Sequence, residues 1–150
     1  MTSSFLRATV AAALAIALAL PLTAAAGAAG TTTVGTRSTA LGRVLTDGHG
    51  RTLYLFRRDR GSRSACSGAC AAAWPPLIAS GSPHARGGAR RSLLGTTRRR
   101  DGRRQVTYRG HPVYRFIGDS GPGQTHGEGL EEFGGLWYVV APSGRAITRG

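Results

Sequence analysis

The sequence predicts a mainly β protein, built from two pseudo-equivalent hairpin-based repeats packed as one small domain, with a short Cys-bearing helical turn. Three observations predict it. First, Gly50-Arg51-Thr52-Leu53-Tyr54-Leu55-Phe56-Arg57-Arg58-Asp59 recurs sixty residues later as Gly110-His111-Pro112-Val113-Tyr114-Arg115-Phe116-Ile117-Gly118-Asp119. Both copies fit Gly-x-x-(Leu/Val)-Tyr-x-Phe-x-x-Asp, and a tryptophan follows each Asp, Trp74 and then Trp137. Self-similarity in one register means one unit used twice. Second, the apolar runs are short and are separated by Gly, Pro and Asp turn signals, as in all-β chains. Third, about 120 residues remain after an N-terminal leader, enough for one domain with a modest core and too few for two.

The leader, residues 1–29, reads as a secretory signal. Arg7 supplies the positive n-region, residues 10–22 form an apolar run, and Ala24-Ala25-Ala26 offers a small-residue cleavage site. The run is too short to read as a membrane span. No Cys lies in residues 1–30, so the mature chain is expected to be secreted or extracytoplasmic, without a transmembrane span and not lipid-anchored. Residues 30–40 are rich in Thr and Gly with no apolar period and read as a disordered leader. A single β domain is expected over residues 41–150, its repeats at about 41–95 and 96–148.

Within the first repeat, residues 41–46 and 52–57 read as strands around Asp47-Gly48-His49-Gly50, a hairpin turn. Tyr54 and Phe56 share one face and Leu53 and Leu55 the other, which suits a central strand. Residues 66–74, around Cys66 and Cys70, suit one or two helical turns ended by Pro75-Pro76, and residues 77–79 a short strand. Residues 80–92 read as a loop between the repeats. In the second repeat, Asp101-Gly102 between two extended runs predicts a two-residue type I′ hairpin, and residues 105–108 then pair with 112–117. Residues 118–135 contain seven Gly and read as a long loop, followed by a strand over 136–141 and a turn at Pro142-Ser143-Gly144.

All 20 basic residues are Arg, and the formal net charge is +13. Two clusters are dense: Arg57-Arg58-Asp59-Arg60 with Arg63, and Arg98-Arg99-Arg100 with Arg103-Arg104. Such charge favours adsorption to a polyanionic envelope component, either a phosphate-rich polymer or an anionic lipid surface. The same composition also suits the codon bias of a GC-rich genome. No specific nucleic-acid partner is expected, because no nucleic-acid-binding module is recognisable.

Tyr54-x-Phe56-x-x-Asp59 and Tyr114-x-Phe116-x-x-Asp119 resemble the Tyr-x-(Phe/Trp/Tyr)-x-x-Asp motif of a bacterial family of secreted repeat proteins, often described as predicted lipoproteins. Residues 64–77, the Asp101-Gly102 and Gln105-Val106-Thr107-Tyr108 block, and residues 135–144 resemble its other signatures. The resemblance spans about residues 41–145 and implies a secreted repeat of unknown function. The lipid-attachment Cys common in that family is absent, and Leu130-Glu131-Glu132-Phe133 lengthens the loop that follows the second motif.

Cys66 and Cys70 are the only cysteines, and an even pair in an exported chain reads first as a disulfide, with a redox pair or metal ligation as alternatives. Tyr54, Phe56, Tyr114 and Phe116 read as the shared core of the repeats, or else as the lining of a cleft for an apolar ligand. Asp59 and Asp119 lie at strand exits, where each can cap a turn. His111 and His126 are weak metal candidates, and no cofactor is expected. No nucleophile–base pair is suggested. The expected function is a non-enzymatic binding or structural module at the cell envelope, the alternative an extracytoplasmic redox or metal-handling protein.

Overall fold

The computed structural model describes residues 30–148; the expected signal segment 1–29 lies outside them. Among the described residues nine short strands make three three-stranded sheets, beside one short α-helix. Strand β1 (Thr33–Thr39) pairs antiparallel with β2 (Gly42–Asp47) from Val34↔Asp47 to Thr39↔Gly42. This corrects the disordered leader expected over 30–40: order begins before Leu41. Only Val34 of β1 is fully buried, so the strand carries no apolar period to read. Backbone pairing and threonine hydroxyls specify it instead. Thr32 Oγ1 donates to Ile78 O (3.2 Å) and accepts from Ser80 N (2.8 Å), while Thr36 Oγ1 accepts from Gly88 N (3.1 Å). The segment 80–92 contributes β4 (His84–Ala85), parallel to β1, and a 3-10 turn at Arg91–Leu93.

The turn after β2 has Asp47 N donating to Arg51 O and Gly50 N to Asp47 O, with Gly50 at φ 81°. This is a three-residue hairpin loop with a glycine bulge. The expected hairpin is brief: Thr46 pairs with Thr52, and then β3 (Tyr54–Phe56) turns to β9 (Gly135–Val139), pairing Tyr54↔Val139 through Phe56↔Trp137. On its other side Tyr54 pairs with Tyr114. The segment is therefore flanked on both sides, as its two apolar faces require.

In the second half β5 (Leu94–Arg98) pairs with β6 (Arg104–Tyr108). Their turn differs from the two-residue type expected. Gly102 has φ 82° and donates to Arg99 O, while Arg99 N donates to Arg103 O, so a three-residue loop closes with Gly102 as the bulge. Asp101 is not at positive φ, because its carboxylate accepts from Arg103 N (3.0 Å) and holds a local turn. A two-residue turn with both φ positive occurs at Arg109-Gly110 (50° and 77°), leading to β7 (His111–Pro112). A second, at Phe133-Gly134 (54° and 77°), joins β8 (Glu131–Glu132) to β9 inside the region expected as loop. The strand expected over 112–117 is cut short, because after Val113 the chain leaves β6 for Tyr54.

The duplication is visible in the backbone. Leu45 N donates to Val140 O, Val140 N to Leu53 O, and Leu53 N to Leu45 O. Val106 N donates to Leu77 O, Leu77 N to Val113 O, and Val113 N to Val106 O. Each closed triangle joins three segments in the same sense. Strand alternation then sorts side chains into two cores. Leu53, Leu55 and Val113 join Val34, Leu45, Leu77, Val106, Tyr108 and Val140 in an aliphatic core. Tyr54, Phe56 and Tyr114 join Val44, Cys66, Cys70, Trp74, Trp137 and Val139 in an aromatic one. Both cores draw on both repeats, so neither half covers its own apolar surface. No helix among the described residues is long and apolar enough to cross a membrane.

Candidate functional site

The motif residues converge on the aromatic core and interlock the halves. Tyr54 N donates to Tyr114 O (2.8 Å) and Tyr114 N to Tyr54 O (3.0 Å). Their side chains then cross over. Tyr54 Oη donates to Asp119 Oδ2 (2.6 Å), and Tyr114 Oη lies 2.9 Å from Asp59 Oδ2. Each Asp also organises its own following loop: Asp59 Oδ1 accepts from Ala65 N (2.7 Å) and Asp119 Oδ1 from His126 N (3.0 Å). One carboxylate thus bonds a loop of its own repeat and the tyrosine of the other.

The rings form a stack in the order Phe56, Trp137, Trp74, Phe116. The indoles are 4.0 Å apart and 5° from parallel; Phe56 lies 4.0 Å from Trp137 and Phe116 4.3 Å from Trp74. Each Phe therefore covers the other repeat's Trp, and the two tyrosines meet the stack edge-on, Tyr54 on Trp74 and Tyr114 on Trp137. Trp74 Nε1 donates to Glu132 Oε2 (2.7 Å) and Trp137 Nε1 to Glu132 O (3.2 Å). Phe56, Trp74 and Trp137 are buried in the core and Phe116 is half-buried at the end of the stack.

Burial acts on this network. It raises the Tyr54 and Tyr114 hydroxyls, each further raised by its carboxylate partner. It also pushes Asp59 up to about 6, against the opposing bonds from Ala65 N and Tyr114 and the charge of Arg99.

Cys66 and Cys70 are bonded to each other, one on each side of the start of α1 (Ala69–Ala73), and both are buried. The bond closes the loop that returns Trp74 to the core. His111 lies exposed in β7, and His126 lies exposed in the long loop, with Nδ1 3.2 Å from Gly118 O and 3.3 Å from Asp119 Oδ1. Among the described residues no group of three or more His, Cys, Asp or Glu is placed to hold a metal ion.

The arginine cluster 98–104 is not uniformly solvated. Arg99 is 8% exposed. Its NH1 donates to Gln105 Oε1 (2.7 Å) and Ser64 Oγ (3.0 Å), and its NH2 to Cys66 O (2.7 Å). Ser64 Oγ also lies 2.8 Å from Tyr114 Oη, so Arg99 continues the tyrosine–aspartate network toward the surface. It ties the β5–β6 hairpin to the chain directly after the tight Arg60–Arg63 turn. Between them lies a cavity of about 740 Å³, lined by Ala65, Ala71 and Ala72 and by Arg99, Arg100 and Arg103. The roles of Ser64, Arg99, Gln105 and Glu132 escaped sequence reasoning. Gln105 left no signal either: alternation in β6 sets it with Thr107 on the face opposite Val106 and Tyr108, yet both faces of 105–108 are buried.

An all-β duplicated unit with reciprocal Tyr–Asp bonds and a disulfide-closed loop defines a small repeat protein. A family model described as a secreted repeat of unknown function matches residues 35–78 and 95–141, one repeat in each half, and the chain belongs to this family. No curated protein and no solved structure matches it.

Proposed function

We propose that the chain is an exported, non-enzymatic binding module of the cell envelope whose partner is a polyanion, a phosphate-rich polymer or an anionic lipid surface. The observation that carries this reading is the junction made by Arg99. It ties the β5–β6 hairpin to Ser64 and Cys66, directly after the Arg60–Arg63 turn, and gathers Arg99, Arg100 and Arg103 along one cavity. Adjacent guanidiniums on a chain of net charge +13 raise the local concentration of polyanions. The buried Tyr–Asp pairs, by contrast, are engaged in joining the repeats.

Co-sedimentation with anionic vesicles and with isolated cell wall, across a salt series, tests the reading. Adsorption is expected to be strong at low salt and to fall steeply as salt rises, because exposed charges are screened beyond roughly 10 Å at 0.1 M. Replacing Arg98, Arg100, Arg103 and Arg104 with Ala should weaken it without unfolding the protein, since all four are exposed. Arg99 is left in place, because its guanidinium is structural. Binding indifferent to both salt and the four replacements would reject the reading.

A further inference from the structure

We propose that the cavity between the Cys66–Cys70 loop and the β5–β6 turn is a binding site for a phosphate ester, its arginines engaged at rest by the Asp101 carboxylate acting as an internal counter-anion. The proposal rests on the polyanion reading above and assigns it a site. Asp101 Oδ2 accepts from Arg103 Nε (3.0 Å) and NH2 (2.7 Å) and lies 3.6 Å from Arg99 Nε. An anionic oxygen between two guanidiniums already occupies the place an external anion would take. The bonds from Arg103 hold the Asp101 carboxyl down to about 2, so it is ionised at any ordinary pH.

The third contact is incomplete. Arg99 Nε is buried with no hydrogen-bond partner, beneath a carboxylate oxygen too distant to bond it. A buried guanidinium N–H left unpaired is costly and calls for an acceptor. A phosphate displacing Asp101 offers more acceptor oxygens than the carboxylate and can reach Arg99 Nε and Arg103 together. Charge favours the exchange as well. Arg99, Arg100 and Arg103 face the cavity against one carboxylate, an excess that suits a dianionic phosphate monoester. Ala65, Ala71 and Ala72, which also line the cavity, would take the organic part of the ester. Asp101 is exposed in a hairpin turn and can swing away without disturbing the core.

The test is titration of the full mature chain with phenyl phosphate, followed by calorimetry and phosphorus NMR. One-to-one saturable binding is expected. Asp101→Asn should tighten it on the order of tenfold, because it removes the competing charge while keeping the turn's acceptor oxygen. Arg100→Ala/Arg103→Ala should weaken it by a similar factor. Arg91→Ala/Arg145→Ala, which removes equal charge outside the cavity, should leave it unchanged. Displacement of the probe by phosphatidic acid vesicles would assign the site to a lipid headgroup, and displacement by short-chain polyphosphate to a polymer; displacement by neither would overturn the proposal. So would unchanged or weaker binding to Asp101→Asn, or equal losses in the two double-arginine variants. If salt-sensitive adsorption to vesicles or wall persists when this site fails, the broader polyanion reading stands without it.

Discussion

Tyr54 and Asp119 are 65 residues apart, in different repeats, and their side chains meet at 2.6 Å in the buried centre of the protein. Tyr114 and Asp59 make the reciprocal contact at 2.9 Å. The motif that marks each repeat is therefore completed by the other copy. This gives a physical reason for Tyr and Asp to occur together five positions apart. The tyrosine needs a buried acceptor, the carboxylate needs donors, and neither finds the main partner within its own hairpin.

Removing one hydroxyl leaves a carboxylate short of a donor. Tyr54→Phe is expected to cost about 1–3 kcal/mol, since Asp119 is 5% exposed. Tyr114→Phe should cost less, because Asp59 is less deeply buried than Asp119. Urea unfolding of both variants checks the order; a larger loss for Tyr114→Phe would contradict it.

The raised Asp59 carboxyl predicts a pH effect of definite sign. A group at about 6 in the folded chain and near 3.8 when unfolded favours folding in its protonated form. Its contribution is complete below pH 4 and is lost as pH rises through 6. Wild type should therefore lose on the order of 1–2 kcal/mol over this interval relative to Asp59→Asn, with allowance for partial exposure. Stability curves of the two proteins from pH 4 to 7 should diverge. Parallel curves would show that Asp59 does not titrate there.

The Cys66–Cys70 bond closes a five-residue ring, so its entropic contribution is small, about 2 kcal/mol. Thiol labelling under denaturing, non-reducing conditions should find no free thiol. The double Cys→Ser variant should still fold, with a lower melting temperature. Complete unfolding of that variant would mean that the bond does more than order the loop before Trp74.

The sequence shows the duplication, the Tyr and Phe face, the Leu face and the disulfide because each follows from local spacing. Tyr54 and Leu53 fall into different cores simply because strand side chains alternate. It does not show β1, whose threonines and glycine hide a strand held by pairing with β2. Nor does it show that Arg99 is buried while Arg98 and Arg100 are exposed. The difference arises from where Gln105, Ser64 and Cys66 place their oxygens, and only the fold assembles those. The turn at Asp101-Gly102 followed a side-chain bond to Arg103 N in place of the two-residue geometry that the dipeptide suggests.

The central claim is that the two repeats are halves of one cooperative unit, because each supplies the other's tyrosine partner, ring stack and strand edges. The most direct measurement is thermal and urea unfolding of a chain covering residues 30–95 beside one covering residues 30–150, followed by near-ultraviolet circular dichroism. The truncated chain keeps Tyr54, Phe56 and Trp74 and loses Tyr114, Phe116, Asp119 and Trp137. It is expected to show no cooperative transition and no fixed aromatic signal, while the intact chain unfolds in a single step. A cooperative melt of residues 30–95 alone would contradict the account.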